Sequence, residues 1–371
     1  MRQIDAEDSH KISIELASAG IAPADHRTDS NLLQVSIWNK KVDNPIGLAA
    51  GYDKNAQAVD AMLGFGFGSV EIGSVTPNAQ IGNPKPRVFR LEKDQAVINR
   101  YGFNSDGHDS VAYRLMKRIR SFLYKQSSQT FDLDSSVNKS LQAGKLLGVN
   151  LGKNKTSPAE SDNDYLLGIE KLGPFADYLV INISSPNTPG LRNLQNREPI
   201  KRLLSSAIQT RNKTLNHKPP LLVKIAPDLS NAELQDIASV LNEVNIDGVI
   251  VSNTTLSREN LKSGNRFYNL DEDLTRQLGG LSGAPVLPRA LATVFKLYQL
   301  TEGRIPIIGC GGIRSGEDAV AFCKAGASLV QVYTALAYQG PGLVRNIKDQ
   351  VESICLSEGK SWKDMIGSSH R

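Results

Sequence analysis

The sequence predicts an α/β fold, an eight-stranded (β/α)8 TIM barrel, on three observations. Eight short apolar runs recur between residues 44 and 334, and they end in glycine or small polar residues. Runs that are apolar on both faces mark parallel strands covered by helices. Amphipathic helical patterns follow most of them, and eight βα units over some ~250 residues or more is the arithmetic of this barrel. A doubly wound open sheet is the competing fold, but no Gly-x-Gly-x-x-Gly follows the first run.

The chain opens with residues 8–20, where apolar Ile12, Ile14, Leu16 and Ala17 and a stop at Gly20 predict a short helix. Residues 32–38 alternate weakly, like a strand leading in. The eight runs then lie at residues 44–50, 69–75, 146–152, 178–183, 221–226, 248–253, 305–312 and 329–334. Between them, residues 231–244 and 315–325 read as amphipathic helices, the second with Ser315 as N-cap. Two insertions interrupt the rhythm. Residues 76–145 hold a hairpin (86–91 with 96–99), a basic amphipathic helix at 114–125, and a Ser/Asn/Asp-rich stretch at 126–140 that is expected to be mobile. The helix is read as a solvated surface helix in preference to one that touches lipid. Residues 255–278 form a second, polar insertion. The expected division is 1–40, an N-terminal helix and lead-in strand, and 41–371, the barrel.

Composition narrows the function. A formal charge of +5 permits an anionic substrate or a membrane surface without demanding nucleic acid. Cys310, Cys323 and Cys355 show no Cys-x-x-Cys, and the five histidines are scattered, so neither a metal site nor a disulfide framework is expected. No run of ~18 apolar residues predicts a membrane-spanning helix.

Chemistry in this fold sits at the C-terminal strand ends. These carry residues 51–54, Ser74, Asn150, Asn182, Ser185, Asn187, Thr188, Lys224, Ser252, Asn253, Thr254, Gly311, Gly312, Tyr333 and Thr334. Apart from Asp53 and two lysines the set has almost no ionisable groups, which disfavours glycosidase or metal-assisted hydrolysis. Amides and hydroxyls with one or two lysines suit an aromatic heterocycle plus an anion, with a cofactor carrying electrons. Glycines after the seventh strand and Tyr333-Thr334 after the eighth suit a phosphate. Lys224, mid-strand in Leu-Val-Lys-Ile-Ala, is either a Schiff-base nucleophile of a lyase or a cation facing an electron-rich ring. Lys54 at the mouth favours a carboxylate ligand. Read alone, the stretch Asn182-Ile-Ser-Ser-Pro-Asn-Thr-Pro-Gly190 favours a capped turn, and its place at the end of the fourth strand reverses that reading in favour of a site.

Several blocks together resemble the dihydroorotate dehydrogenase family. They are Asn44-Pro-Ile-Gly-Leu-Ala-Ala-Gly-Tyr-Asp-Lys54, Asn99-Arg-Tyr-Gly-Phe-Asn104, Gly148-Val-Asn-Leu-Gly-Lys-Asn154, Asn182-Ile-Ser-Ser-Pro-Asn-Thr-Pro-Gly190 and Lys224-Ile-Ala-Pro-Asp228. Ser252-Asn-Thr-Thr255, Gly279-Gly-Leu-Ser-Gly283 and Tyr333-Thr334 extend the match. Serine at 185 resembles the membrane-associated, quinone-reducing class 2, where class 1 carries cysteine. The resemblance implies oxidation of (S)-dihydroorotate to orotate in pyrimidine biosynthesis, with FMN as first acceptor and ubiquinone as second. Ser185 is then the base at C5 while C6 gives hydride to the flavin, and Thr188 and Phe103 line the proton's way out. It implies FMN contacts at Ala50, Gly51, Tyr52, Asp53, Lys54, Ser74, Asn150, Asn182, Lys224, Ser252, Gly283, Gly312, Tyr333 and Thr334. Implied substrate contacts are Lys54, Asn99, Arg100, Tyr101, Gly102, Phe103, Asn182, Asn187, Asn253 and Thr254. For the quinone they are His10, Arg90 and Tyr333. The class further implies an N-terminal membrane segment and a two-helix cap, of which only the second helix, with His10, is expected here. The expected location is the mitochondrial inner membrane, with a bacterial cytoplasmic membrane as the alternative.

Overall fold

The eight apolar runs become strands because each can bury both faces. In the computed structural model, which describes residues 4–125, 138–259, 261–262 and 274–370, they form a closed parallel barrel. The strands are β1 (Ile46–Leu48), β2 (Ser69–Val75), β3 (Leu146–Leu151), β4 (Tyr178–Asn182), β5 (Leu221–Ile225), β6 (Gly248–Val251), β7 (Ile307–Cys310) and β8 (Ala327–Val332). They pair in sequence order, and β8 closes on β1 through Val330↔Ile46 and Val332↔Leu48. Every residue of β2, β3, β4, β5 and β6 is buried. Each buried Leu or Ile of this kind stabilises the fold by ~2 kcal/mol.

Around the barrel stand α2 (Val59–Gly64), α3 (His108–Lys125), α4 (Asn163–Leu172), α5 (Arg197–Thr214), α6 (Asn231–Val244), α7 (Leu287–Leu300), α8 (Gly316–Lys324) and α10 (Leu343–Glu358); the short α9 (Thr334–Gln339) follows β8. Ser315 caps α8 through Asp318 N, as expected, and Ser230, not singled out in the sequence, starts α6 with a capping box to Glu233. The helix placed at 114–125 starts earlier, at His108, because Val111 and Ala112 extend its buried stripe to Leu115 and Ile119.

The leading segment differs from a simple lead-in strand. Residues 31–33 form a 3-10 turn, and Val35–Ile37 pairs antiparallel with Lys40–Val42. Trp38, in this hairpin's turn, donates Nε1–H to Asp247 O at 2.8 Å and lies 5.5 Å from the Tyr178 ring, so the hairpin covers the N-terminal end of the barrel. Ahead of it, α1 (Ala6–Ser18) begins at Asp5, whose carboxylate accepts from Glu7 N and Asp8 N.

The predicted hairpin exists as Val88–Leu91 against Ala96–Asn99, and the chain just past the second insertion supplies a third strand, Gly280–Gly283. This sheet has its own small core of Phe89, Leu91, Ala96, Ile98 and Leu281. It suspends residues 99–104 over the barrel mouth. Of the stretch expected to be mobile, 126–137 lies outside the described residues, as do 260 and 263–273 of the second insertion. No helix among the described residues is long and apolar enough to cross a membrane.

Candidate active site

A buried carboxylate sets the orientation of the site's amides. Glu71, on β2 inside the barrel, accepts from Asn150 Nδ2 (2.8 Å), Gln331 Nε2 (2.7 Å) and the Tyr178 hydroxyl (3.2 Å). With its NH2 committed downward, Asn150 presents Oδ1 upward, where it accepts from Ser74 Oγ and from Asn182 Nδ2 at 3.2 Å. Asn182 Nδ2 also donates to Ser74 Oγ at 2.9 Å. Asn182 Oδ1 accepts from Ser184 Oγ at 2.9 Å, and Ser184 Oγ accepts from Asn253 Nδ2 at 2.9 Å. Ser184 is therefore consumed by the framework. Ser185 is not: its Oγ accepts from Asn187 N at 3.2 Å and faces the cavity.

That cavity opens at the C-terminal ends of the strands. Its walls include Ala50, Gly51, Lys54, Ser74, Asn99, Tyr101, Gly102, Phe103, Asn182, Ser185, Asn187, Lys224, Ser252, Asn253, Thr254, Gly283, Gly312, Tyr333 and Thr334. The lining holds three cations, Lys54, Lys224 and Arg314, and no acidic side chain. No salt bridge engages Lys54 among the described residues; its Nζ lies 3.6 Å from the centroid of the Tyr101 ring. Burial, and secondly the nearby Arg87 guanidinium, push the Lys54 ammonium down to about 7. Such a lysine gains most from an anion placed beside it.

At the far end, Gly283 (φ 101°) and Gly312 (φ 78°) adopt backbone that side chains resist. A Cβ on Gly283 would sit 2.3 Å from Gln95 O, and one on Gly312 would sit 2.7 Å from Leu287 Cβ. Tyr333 and Thr334 complete this end where α9 begins, with Thr334 Oγ1 donating to Ser282 Oγ at 2.8 Å.

Other expected residues stand behind or beside the lining. Asp53 is fully buried and accepts from Gln57 N and Ala58 N, both at 2.8 Å, so its side chain builds the turn after β1. Asn150 supports from below. Arg100 turns outward to Gln277 Oε1 and Pro86 O, with its guanidinium 4.8 Å from the Phe89 ring centroid. Thr188 is not among the lining residues, and its carbonyl accepts from Leu191 N. Beside the cavity runs an aromatic series: His10 to Tyr52 at 5.1 Å, then Tyr52 to Tyr333 at 5.9 Å. Tyr333 donates to Gly51 O at 3.2 Å. His10 Nε2 lies 2.7 Å from Tyr52 O; burial, then Lys54, hold its imidazole down at about 3, hence neutral. Arg90 donates to Ile4 O at 2.7 Å.

Sequence reasoning missed Glu71, Gln331, Gln95, Cys310 and Arg314. Glu71 and Gln331 carried a usable signal, since both interrupt apolar runs as Lys224 does. Gln95 and Arg314 come together only in three dimensions, through a 3.1 Å bond from Arg314 Nη1 to Gln95 Oε1.

Residues 32–355 match the family described as Dihydroorotate dehydrogenase. The chain belongs to that family. Among its relatives is the mitochondrial dihydroorotate dehydrogenase (quinone) of Eremothecium gossypii, 50% identical over 98% of this chain and 82% of the relative. The mouse enzyme of the same name is 47% identical, covering all of this chain and 88% of its own length. A crystal structure of DHODH from Eimeria tenella in complex with ferulenol superposes with a TM-score of 0.88 at 40% identity, covering 99% of this chain and 96% of that one.

Proposed function

We propose that the cavity oxidises (S)-dihydroorotate to orotate, in the pyrimidine biosynthesis carried out by this family, on bound FMN, with a quinone as final acceptor and Ser185 as the base. The observation that carries this reading is the cavity's charge: three cations and no acid, spread along its length. Two anionic ligands, a phosphate at one end and a carboxylate at the other, match that distribution.

The residues fit FMN. Gly283, Gly312, Tyr333 and Thr334, with Arg314 beside them, form a cradle that a Cβ would fill, as a phosphate requires. Buried Gln331 Oε1 has no hydrogen-bond partner among the described residues, and Lys224 belongs to the same lining. Both face the space where the ring system would lie, together with Ala50, Gly51, Ser74, Asn182 and Ser252. FMN bound there would supply a hydride acceptor for C6 of the substrate and a relay for the electrons to the quinone.

The substrate end is held by this chain's own groups. Lys54 pairs with the carboxylate, and Asn99, Asn182, Asn187, Asn253 and Thr254 offer donors and acceptors to the ring's alternating N–H and C=O edge. Buried Thr254 Oγ1, also without a partner among the described residues, is one such group. Ser185 Oγ takes the C5 proton. A hydroxyl is a weak base, and the backbone N–H of Asn187 offsets this by donating to Oγ, favouring its more negative form. Its own proton leaves past Phe103 in the lining and then toward Thr188, which stands outside it.

Of residues 1–40, α1 serves as cap, whereas the hairpin that spans the expected 40/41 boundary closes the opposite end of the barrel. The quinone approaches along α1, where His10, Tyr52 and Tyr333 lead inward and Arg90 flanks them. Exposed Ile4, Leu16 and Ile21 support a seat on the mitochondrial inner membrane, the relatives being mitochondrial. The purified protein is expected to be yellow and to bleach when dihydroorotate is added without oxygen. Ser185→Ala should keep the flavin and slow bleaching by ~100-fold or more. Full-speed bleaching in that variant removes Ser185 from the mechanism. A colourless protein whose Lys224 is trapped by borohydride with a carbonyl substrate would replace the whole reading with a Schiff-base lyase.

A further inference from the structure

The N-terminal helix and the loop over the substrate end meet at a buried ion pair. Glu7 on α1 is 4% exposed and Arg87 is 5% exposed. Arg87 grips Glu7 with a two-pronged contact, Nε to Oε2 at 3.0 Å and Nη2 to Oε1 at 2.8 Å. Its third nitrogen, Nη1, donates to Ile81 O at 2.7 Å and Asn83 O at 2.8 Å. Asn83 continues the path: its backbone N donates to Tyr101 O (2.8 Å) and its Nδ2 to Arg100 O (2.9 Å). Arg87 O also accepts from Arg100 N at 2.9 Å. Two cations approach the Tyr101 ring, the Arg87 guanidinium 5.2 Å and Lys54 Nζ 3.6 Å from its centroid.

We propose that Glu7 and Arg87 are positioning residues for the substrate, through which α1 fixes the loop of residues 99–103 and balances the charge around Lys54. The proposal rests on the reading that Lys54 holds the substrate carboxylate. Other charged groups face the pair: Lys11 lies 3.7 Å and Lys85 3.6 Å from Glu7 Oε1, and Asp8 pairs with Lys85. Lys11 and Lys85 are half-exposed, so water screens them more than it screens the pair. The loop cannot shift without breaking the Asn83 bonds, and Arg87 cannot hold Asn83 in place once its own counter-charge is gone. Removing the Glu7 charge would also leave a buried cation beside Lys54 uncompensated. Lys54 would then surrender its proton at lower pH.

The test uses orotate binding by calorimetry on the purified holoenzyme between pH 5.5 and 9, with KM and kcat measured alongside. Glu7→Gln should weaken orotate binding and raise KM for dihydroorotate by ~10- to 100-fold, with a smaller effect on kcat. The pH at which orotate binding falls away should move down. Arg87→Lys keeps the charge but not the fork, so it should weaken binding while leaving that pH nearly in place. Asp5→Ala removes the cap that Glu7 N donates to but keeps both charges of the pair, and should weaken orotate binding far less than Glu7→Gln. Unchanged affinity and pH dependence in Glu7→Gln overturns the proposal, as does an Asp5→Ala loss equal to that of Glu7→Gln. Should Glu7→Gln not fold, unchanged orotate affinity in Arg87→Lys overturns it equally. Wild-type protein that binds no orotate would sink the reading of the cavity itself, and this proposal with it.

Discussion

Lys54 shows how one side chain's surroundings turn into a pH dependence. Burial and the Arg87 charge depress it to about 7, below the ordinary lysine value, so the free enzyme loses the ammonium as pH rises through neutrality. Only the cation attracts a carboxylate. Orotate affinity should therefore be full below pH ~6 and fall about tenfold per pH unit above ~8, the slope of a single proton. Lys54→Arg keeps its charge throughout this range, so its affinity, whatever its level, should be flat with pH. A flat wild-type profile from calorimetry would remove Lys54 as the carboxylate's partner. This lysine was legible in the sequence as a cation just past a strand end. Its neighbour Asp53 was not, because the sequence gives no direction for a side chain in a turn; here the carboxylate points into the backbone of residues 57 and 58. Glu71 and Gln331 show a third case. Polar residues inside buried runs announce an internal network, but their partners lie on other strands, and no local pattern names them.

At the scale of elements, the eight barrel strands were readable because parallel strands must be apolar on both faces, and turn residues punctuate them. The third strand of the small sheet was not. Gly-Leu-Ser-Gly has little strand propensity of its own. It becomes a strand through pairing, Gly280 with Asn99 and Gly283 with Ala96. That pairing places Gly283 against Gln95 and Thr334, where its φ of 101° and the absence of a side chain are both required. Gly283→Ala combines disfavoured backbone with a clash on a carbonyl, a cost of about 1–3 kcal/mol for the strain alone. If this glycine cradles the phosphate, the variant should purify with little flavin and bind added FMN ~10-fold or more weakly, measured by fluorescence quenching. The barrel itself should keep its far-ultraviolet circular dichroism. Normal FMN affinity would move the phosphate elsewhere.

On the scale of the whole molecule, the segment before the barrel is tied to the last long helix by charge. Asp25 and Asp29 face Arg345 and Lys348 of α10; Lys348 Nζ lies 2.9 Å from Asp25 and 2.7 Å from Asp29, and it also donates to Gly66 O at 3.0 Å. Lys348 is 1% exposed, so these bonds are what make its burial tolerable. Burial would by itself raise the Asp25 carboxyl, but hydrogen bonds from Arg345 and Lys348 outweigh it and hold the group at about 2. Since the folded value lies below the unfolded one of ~3.9, the stabilisation is complete above that value and drains away as pH falls toward 2. Asp25 is close to the surface, so solvent screening reduces its share to on the order of 1 kcal/mol. Asp25→Asn should therefore lower the urea midpoint at pH 7 and lose less stability than wild type between pH 4 and pH 2. The difference between the two proteins should shrink steadily over that interval. Parallel curves would mean that the ion cluster contributes nothing through Asp25's charge, and that Asp29 alone keeps Lys348 buried.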